Sequence, residues 1–171
     1  MIALILNVCA CKILNQRTED KTMTPKQVVI DTNVCLDLFV FKDPRWTLIL
    51  SGLKDGSIIA VTREDCRNEW LAVLHYSHLP VNNENREQII LEFDASISCI
   101  KPLAKLHHLP RCTDKDDQKF LEIARDAEVH TLITKDKALL KLAKKNRQLG
   151  YYSIEAPEKF IANLLLDSVV S

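Results

Sequence analysis

Short, continuous apolar segments alternate with longer helical segments along this chain, and this alternation is the strongest constraint on its fold. Three segments are predicted strands: the short continuous apolar run at residues 27–30, residues 57–61, and HTLIT at 130–134. Strands that are apolar on both faces are typical of a parallel sheet covered by helices on both sides. The order of the elements therefore predicts an α/β fold, a three-layer α/β/α sandwich around a mainly parallel sheet.

The segments between these strands have the length and apolar spacing of helices. Residues 34–41 and 46–53 are predicted helical, with a break at Asp43-Pro44. Thr62 is predicted to be the N-cap of a helix in TREDCRNEWLAVL, because an acid follows three residues later. The other predictions are helices in IILEFDASI, after RCTDKDD, at 138–145 and at 156–166, a short strand in IKPLAKLHHLP and an edge strand in YYSI.

The composition excludes several classes of protein. The 171 residues fit one domain with a real core. The formal net charge is zero, so only a local patch could attract nucleic acid. Three glycines in the whole chain are too few for the Gly-rich phosphate loops of nucleotide sites. The six cysteines include no C-x-x-C pair, which favours reduced, mostly buried thiols in a cytoplasmic protein.

The amino-terminal segment differs in character from the rest of the chain. MIALILNVCACKIL is apolar but shorter than a bilayer span, and it lacks the basic start of a secretory signal. The polar NQRTEDKT follows, and a domain-like start begins at Met23. We expect residues 1–24 to be an extension, mobile, docked or translated from an upstream start codon, and residues 25–171 to be the folded domain. No attachment to a membrane is expected.

Carboxylate side chains fall where the predicted strands end. One follows the first strand directly, one follows HTLIT after a single lysine, three precede a predicted helix, and one lies two turns into the helix after the second strand. In an open parallel sheet, ligands bind outside the carboxyl ends of the strands. The sequence therefore predicts that these acids lie at the carboxyl edge of the sheet: Asp31, Glu69, Asp114, Asp116, Asp117 and Asp136.

Two interpretations of these acids remain open on the sequence alone. Carboxylates that lie together repel one another unless a cation lies among them, and Mg²⁺ and Mn²⁺ prefer oxygen ligands. Such a site suits hydrolysis of a phosphodiester. Alternatively, Asp31, Asp117 and Asp136 are helix N-caps, and Glu69 is a solvated helix residue.

Basic and histidine-rich segments give two weaker signals. His75 and His78 are one helical turn apart, but a zinc site needs further ligands that the sequence does not place. A run of cations follows Asp136 and is either a solvated helix face or a strip that contacts RNA phosphates. This predicted strip consists of Lys135, Lys137, Lys141, Lys144, Lys145 and Arg147.

Five motifs together resemble those of the PIN-domain family, in the branch of ribonuclease toxins from bacterial type II toxin–antitoxin pairs. They are VVIDTNVCLDLF, TREDCRNEWLAVL, CTDKDDQKFLEIA, TLITKDKALL and a Pro-x-x-Phe at Pro157, and they span about residues 27–160. The resemblance implies the three-layer fold and RNA cleavage that depends on Mg²⁺ or Mn²⁺. It also implies 5′-phosphate and 3′-hydroxyl products, an antitoxin protein that covers the acidic groove, and a homodimer. The interface of this homodimer could be an apolar surface within residues 34–53.

The resemblance assigns roles to residues of the first two motifs. It makes Asp31 the first metal ligand and Glu69 the acid supplied by a helix. Thr32 and Asn33 would orient the site by hydrogen bonds to the ligands or to water.

The resemblance leaves alternatives open for the remaining acids. Asp117, or else Asp114 or Asp116, would be the third acid, and Asp136 the fourth. Lys135 stands where many relatives have a glycine, so it could contact phosphate or weaken metal affinity.

Two other functions compete with the nuclease. A phosphatase could use Asp31 as its nucleophile, but haloacid-dehalogenase-like enzymes have D-x-D there and this chain has Asn33. A trapped aspartyl-phosphate would identify that enzyme. A non-catalytic module that binds RNA or protein is the other alternative, and it predicts that Asp31→Asn leaves the biological effect unchanged.

Deleting residues 1–22 is expected to leave folding and activity intact, because every recognisable element begins after Met23. Circular dichroism and an activity assay on the truncated protein test this. A truncated chain that cannot fold would show that the extension is part of the domain.

Overall fold

The computed structural model describes residues 24–106 and 108–170, and the side chains up to residue 167. The predicted extension at 1–22, with Cys9 and Cys11, lies outside the described residues, as does His107. Among the helices described, none combines the length and apolar character that crossing a bilayer requires. Four cysteines are described, and all are free thiols: Cys35, Cys66 and Cys112 are buried and Cys99 is exposed.

Five strands form one sheet in which all neighbouring pairs are parallel. They are β1 (Lys26–Ile30), β2 (Ile58–Thr62), β3 (Ile97–Cys99), β4 (Thr131–Ile133) and β5 (Ser153–Glu155). Their spatial order is β3-β2-β1-β4-β5. The predicted α/β fold with a central parallel sheet between helical layers is confirmed.

The helices of the described part occupy the segments between the strands. They are α1 (Thr32–Cys35), α2 (Thr47–Asp55), α3 (Glu64–Val73), α4 (Arg86–Ser96), α5 (Gln118–Asp126), α6 (Lys137–Lys141), α7 (Ala143–Gln148) and α8 (Pro157–Val170). A π-helical turn, Leu36–Val40, extends α1, and a 3₁₀ turn, Pro44–Trp46, precedes α2.

Both faces of the central strand are buried, which explains its continuous apolar sequence. Val28 and Ile30 belong to one core cluster, with Trp70 of α3 and Phe93 of α4. Val29 belongs to a second cluster on the other face, to which α5 contributes the most helical residues and α6 contributes Leu139. With both faces covered, β1 has room for a polar side chain only at its ends, and a side chain buried there needs hydrogen-bond partners.

Several local predictions were wrong. Thr62 ends β2, and Arg63 takes the N-cap position of α3 without a capping side chain. The helix predicted at 138–145 is divided into α6 and α7 at Leu142. The strand predicted in IKPLAKLHHLP is absent from the described residues of that segment, and the strand instead begins at Ile97, directly after α4.

The strand order reverses between β1 and β4, which are neighbours in space but not in sequence. Ile30 of β1 pairs with Ile133 of β4. The next residue of each strand, Asp31 and Thr134, therefore leaves the sheet at the same edge. Such a switch point forms a crevice at the carboxyl ends of the strands.

Candidate functional site

Asp31 lies at the switch point, where β1 gives way to α1. Its backbone is extended, with φ −68° and ψ 150°, and it takes the N-cap position of α1 without a capping bond from its side chain. The side chain is buried, with 3% of the residue exposed. Thr134 Oγ1 donates to Asp31 Oδ2 at 2.5 Å and Asn33 Nδ2 donates to the same oxygen at 2.6 Å. These two donors hold the carboxylate in one orientation.

Thr134 was not predicted as a site residue. It is fully buried, donates to Asp31, and accepts a 2.9 Å hydrogen bond from the backbone N–H of Asp136. It therefore links the ends of β1 and β4. The signal that could have identified it is positional, because it follows its strand as Asp31 follows β1.

Glu69 reaches the same edge from α3. Thr32 Oγ1 donates to Glu69 Oε1 at 2.6 Å, and the ammonium of Lys119 forms an ion pair with Oε2. Glu69 is therefore not the solvated helix residue of the alternative interpretation. Lys119 was also missed by the sequence analysis, although it lies two residues after Asp117 in the first turn of α5.

The three acids before α5 differ in environment. Asp117 is half-buried at the N-cap position of α5, and its side chain makes no capping bond. Asp114 and Asp116 are exposed, and Asp114 Oδ1 accepts from the backbone N–H of Asp116 at 3.0 Å. Of the three, Asp117 is the one placed deepest in the cluster. This placement supports it as the third acid, although its role remains a prediction.

Burial and mutual repulsion raise the pKa of two of these acids. Burial raises the pKa of Asp31 from 3.8 to about 6, against hydrogen bonds from Thr134 and Asn33 that lower it, and the charge of Glu69 adds to the rise. Burial and, to a smaller extent, the charges of neighbouring carboxylates together raise the pKa of Asp117 from 3.8 to about 6. Those neighbours are Asp31, Asp114, Asp136 and Glu69. The structure thus brings the predicted acids of four chain segments together.

Asp136 performs the structural role that was proposed as an alternative. Its Oδ1 accepts hydrogen bonds from the backbone N–H groups of Ala138 at 2.7 Å and Leu139 at 3.0 Å, and so caps α6. Its other oxygen, Oδ2, has no hydrogen bond or ion pair to any described residue. Capping and a second interaction can therefore coexist at this side chain.

The predicted basic strip divides into two parts. Lys135 Nζ lies 2.6 Å from Oδ2 of the buried Asp37, which also accepts from Trp46 Nε1 at 3.0 Å. The other cations of the strip are exposed and have no ion pair within the described part of the chain. These are Lys137, Lys141, Lys144, Lys145 and Arg147. The strip that could attract RNA thus begins one residue beyond Asp136.

The chemistry of the acids fits a hard divalent cation. All the donors are carboxylate oxygens, and Asp117 has no hydrogen-bond donor or ion-pair partner among the described residues, while repulsion raises its pKa. As the side chains stand, no three acids, histidines or cysteines of residues 24–106 and 108–170 are placed to hold one ion. Glu69 faces Lys119, and Asp136 faces the start of α6.

Asp31→Asn is expected to stabilise the metal-free protein at neutral pH. Because the folded-state pKa, about 6, lies above the ordinary value of 3.8, the folded protein binds this proton more tightly than the unfolded chain does. Burying the charged Asp31 carboxylate therefore destabilises the folded wild type. This destabilisation is complete above about pH 6 and is lost as the pH falls to 3.8. The free energy of unfolding should rise by roughly 1 to 3 kcal/mol at pH 7 and change little near pH 4.

Urea unfolding in EDTA at the two pH values measures this difference. A variant that is destabilised to the same extent at both would show that the hydrogen bonds from Thr134 and Asn33 outweigh the cost of burying the charge.

Comparison with known proteins gives one informative match. A family model described as PIN domain matches residues 27–138, more than half of the 171 residues. No curated protein and no solved structure matches the chain. The matched range contains all of β1 except Lys26, together with β2, β3, β4 and all the acids gathered at the switch point. The chain therefore belongs to the PIN domain family, a family of nucleases.

Proposed function

We propose that this protein is an endoribonuclease that depends on Mg²⁺ or Mn²⁺ and acts as the toxin of a toxin–antitoxin pair. The observation that carries the nuclease is the meeting of Asp31 and Asp117 at the switch point of the sheet, where each has a raised pKa and neither has a cationic partner among the described residues. Membership of a family of nucleases supports the same reaction class. The toxin role rests on the motif resemblance alone.

The residues that would hold the cation are the acids of the cluster: Asp31, Glu69, Asp117 and Asp136, with Asp114 at the rim. The chemistry that Mg²⁺ or Mn²⁺ supplies at such a site is positive charge, which draws in a phosphodiester and stabilises the oxygens of an in-line displacement. Every donor in the set is an oxygen, which suits these two ions better than softer metals.

The protein's own side chains prepare the site before substrate arrives. Thr134 and Asn33 fix Asp31 Oδ2 by hydrogen bonds of 2.5 and 2.6 Å. Thr32 fixes Glu69 Oε1 at 2.6 Å. Oxygens held in this way need little reorganisation when charge develops, which is the main source of electrostatic catalysis. Attack by water, and not by a 2′-hydroxyl, would leave a 5′-phosphate and a 3′-hydroxyl.

Exposed cations beyond Asp136 would bring RNA to the acids. Lys137, Lys141, Lys144 and Lys145 are exposed and make no ion pair with a described residue. The net charge of the whole chain is zero, so attraction of RNA depends on such a local strip. Lys135 would instead serve the protein's own structure, because its ammonium neutralises the buried Asp37.

The proposed protein partners are an antitoxin and a second copy of this chain. An antitoxin segment would cover the cleft between Asp114, Asp116 and Asp136, which is open to solvent. A homodimer could use the apolar side chains of Phe41 and Leu48, which are 52% and 47% exposed. Free thiols in the described part of the chain accord with a cytoplasmic location.

Cleavage of end-labelled single-stranded RNA tests the proposed reaction. We expect cleavage with Mg²⁺ or Mn²⁺, none in EDTA, and a loss of at least a hundredfold in Asp31→Asn, because Asp31 is the fixed acid at the centre of the cluster. Folded, metal-loaded wild-type protein that cuts neither a mixed RNA pool nor total RNA would favour the non-catalytic binding module. A 2′,3′-cyclic phosphate at the product ends would contradict attack by water.

Reversing the basic strip should weaken RNA binding without affecting the acids. In the triple variant Lys141→Glu, Lys144→Glu, Lys145→Glu, we expect the slope of log affinity against log salt to fall by roughly two, about 0.7 for each lost phosphate contact. Fluorescence anisotropy with a labelled RNA at several salt concentrations measures this slope.

Lys54→Glu is the matched control for the strip, because Lys54 is exposed near the end of α2, at the opposite edge of the sheet. Its salt slope should equal that of the wild type. If the triple variant also binds RNA as tightly as the wild type, these lysines only solvate α6 and α7.

A further inference from the structure

We propose that Lys119 is an internal counter-ion for Glu69. In the metal-free protein the ammonium of Lys119 occupies the Glu69 carboxylate, and a divalent cation displaces this ammonium when it binds. The inference rests on the proposed metal-dependent function and adds to it a determinant of metal affinity. Lys119 would thereby weaken metal binding and stabilise the metal-free site. Neither effect requires Lys119 to touch the substrate.

The first support is that both carboxylate oxygens of Glu69 have a partner in the metal-free protein. Thr32 donates to Oε1 at 2.6 Å, and the ammonium of Lys119 pairs with Oε2. The two side chains of the ion pair are mostly shielded, with 20% of the Lys119 side chain and 28% of the Glu69 side chain exposed. An ion pair with this little solvent around it is weakened less by screening than a surface pair.

The second support is that Glu69 differs from its neighbours in the cluster. Asp31 and Asp117 have no ion pair to a described residue. Glu69 differs from both, because its Oε2 is paired with the ammonium of Lys119. The cluster thus contains one neutralised acid beside two that lack a counter-charge.

The third support is the position of Lys119 in the chain. It lies in the first turn of α5, whose N-cap position is Asp117, and its ammonium is 5.6 Å from the ring centroid of Phe120. Lys119 therefore enters the site from the same helix end as the third acid. A divalent cation that binds Glu69 Oε2 would meet this ammonium, because Lys119 pairs with the same oxygen. The repulsion between the two cations would favour exchange of one for the other.

Two simpler roles for Lys119 make different predictions. If the ion pair only joins α3 to α5, removing it lowers stability and leaves metal affinity unchanged. If Lys119 instead orients Glu69 for the metal, removing it weakens metal binding. Competition alone predicts that removing Lys119 makes metal binding tighter.

Titration of Mn²⁺ into the metal-free full-length protein without RNA separates these roles. Isothermal calorimetry on Lys119→Met should show an affinity at least about tenfold higher than in the wild type. Lys119→Arg, which keeps the charge, should remain close to the wild type. Equal or weaker binding in Lys119→Met would overturn the inference.

Lys115→Met is the matched control for lost charge. Lys115 is exposed between Asp114 and Asp116 and has no ion pair with a described residue. Removing its charge should therefore raise Mn²⁺ affinity by less than about threefold. An increase equal to that of Lys119→Met would show that net charge alone sets the affinity, and would overturn the inference.

A second measurement needs no substitution and covers the case in which Lys119→Met does not fold. Reductive methylation of the wild type, followed by mass spectrometry, reports how accessible each lysine is. Mn²⁺ should increase labelling of Lys119 severalfold and leave Lys115 unchanged or lower. Lys119 labelling that does not change at saturating Mn²⁺ would overturn the inference.

The two measurements also separate this inference from the proposed function. Mn²⁺ binding of equal strength in the wild type and Lys119→Met would overturn the counter-ion and leave the metal site intact. Absence of Mn²⁺ binding to every variant would overturn the metal site, and the counter-ion with it.

Discussion

The parallel pairing of β1 with β4 is the interaction on which the rest of the site depends. The backbone N–H of Asp31 donates to the carbonyl of Ile133 at 3.0 Å, so the two strands end at the same level. Asp31 and Thr134 then face each other across the switch point, and the 2.5 Å hydrogen bond between them follows from the register. Since both faces of β1 are buried, the end of the strand is where a carboxylate can be placed, and hydrogen bonds from Thr134 and Asn33 there offset part of the cost of burying it.

The same geometry buries carboxylates close to one another, which disfavours their charged forms. Burial raises the pKa of Asp31 to about 6, and burial with the charges of its neighbours does the same for Asp117. Hydrogen bonds from Thr134 and Asn33 offset part of this cost at Asp31, and an ammonium offsets it at Glu69. A folded protein keeps such a cluster when function needs it, because perturbed carboxylates concentrate at functional sites. The perturbed carboxylates therefore lie at the same edge of the sheet where the proposed function places the metal site.

The sequence was sufficient for the architecture and for the acids because both depend on short-range patterns. Continuous apolar runs identify buried strands, and the residue after each run lies at the sheet edge. That reasoning placed Asp31 and Asp136 correctly at that edge. The strand at Ile97 was missed because α4 passes into it without a turn, so no glycine or proline marks the boundary.

Contacts between distant segments could not be read from the sequence. Lys119 and Glu69 are fifty residues apart and meet only because α3 and α5 pack together at the end of the sheet. Lys135 was grouped with its basic neighbours, yet its ammonium reaches Asp37, which precedes it by almost one hundred residues. A lysine gives no local sign of its partner, since its long side chain can turn either to solvent or to a buried acid.

The two lysines nearest the acids show how charge is divided around the site. Lys135 neutralises a buried aspartate outside the cluster, and its backbone N–H donates to Asn33 Oδ1 at 3.1 Å. Asn33 in turn donates to Asp31, so this lysine supports the fixed acid from behind. Lys119 neutralises an acid inside the cluster. Under the proposed function, a cation that binds these acids would therefore compete with Lys119, which pairs with Glu69, and not with Lys135, which pairs with Asp37.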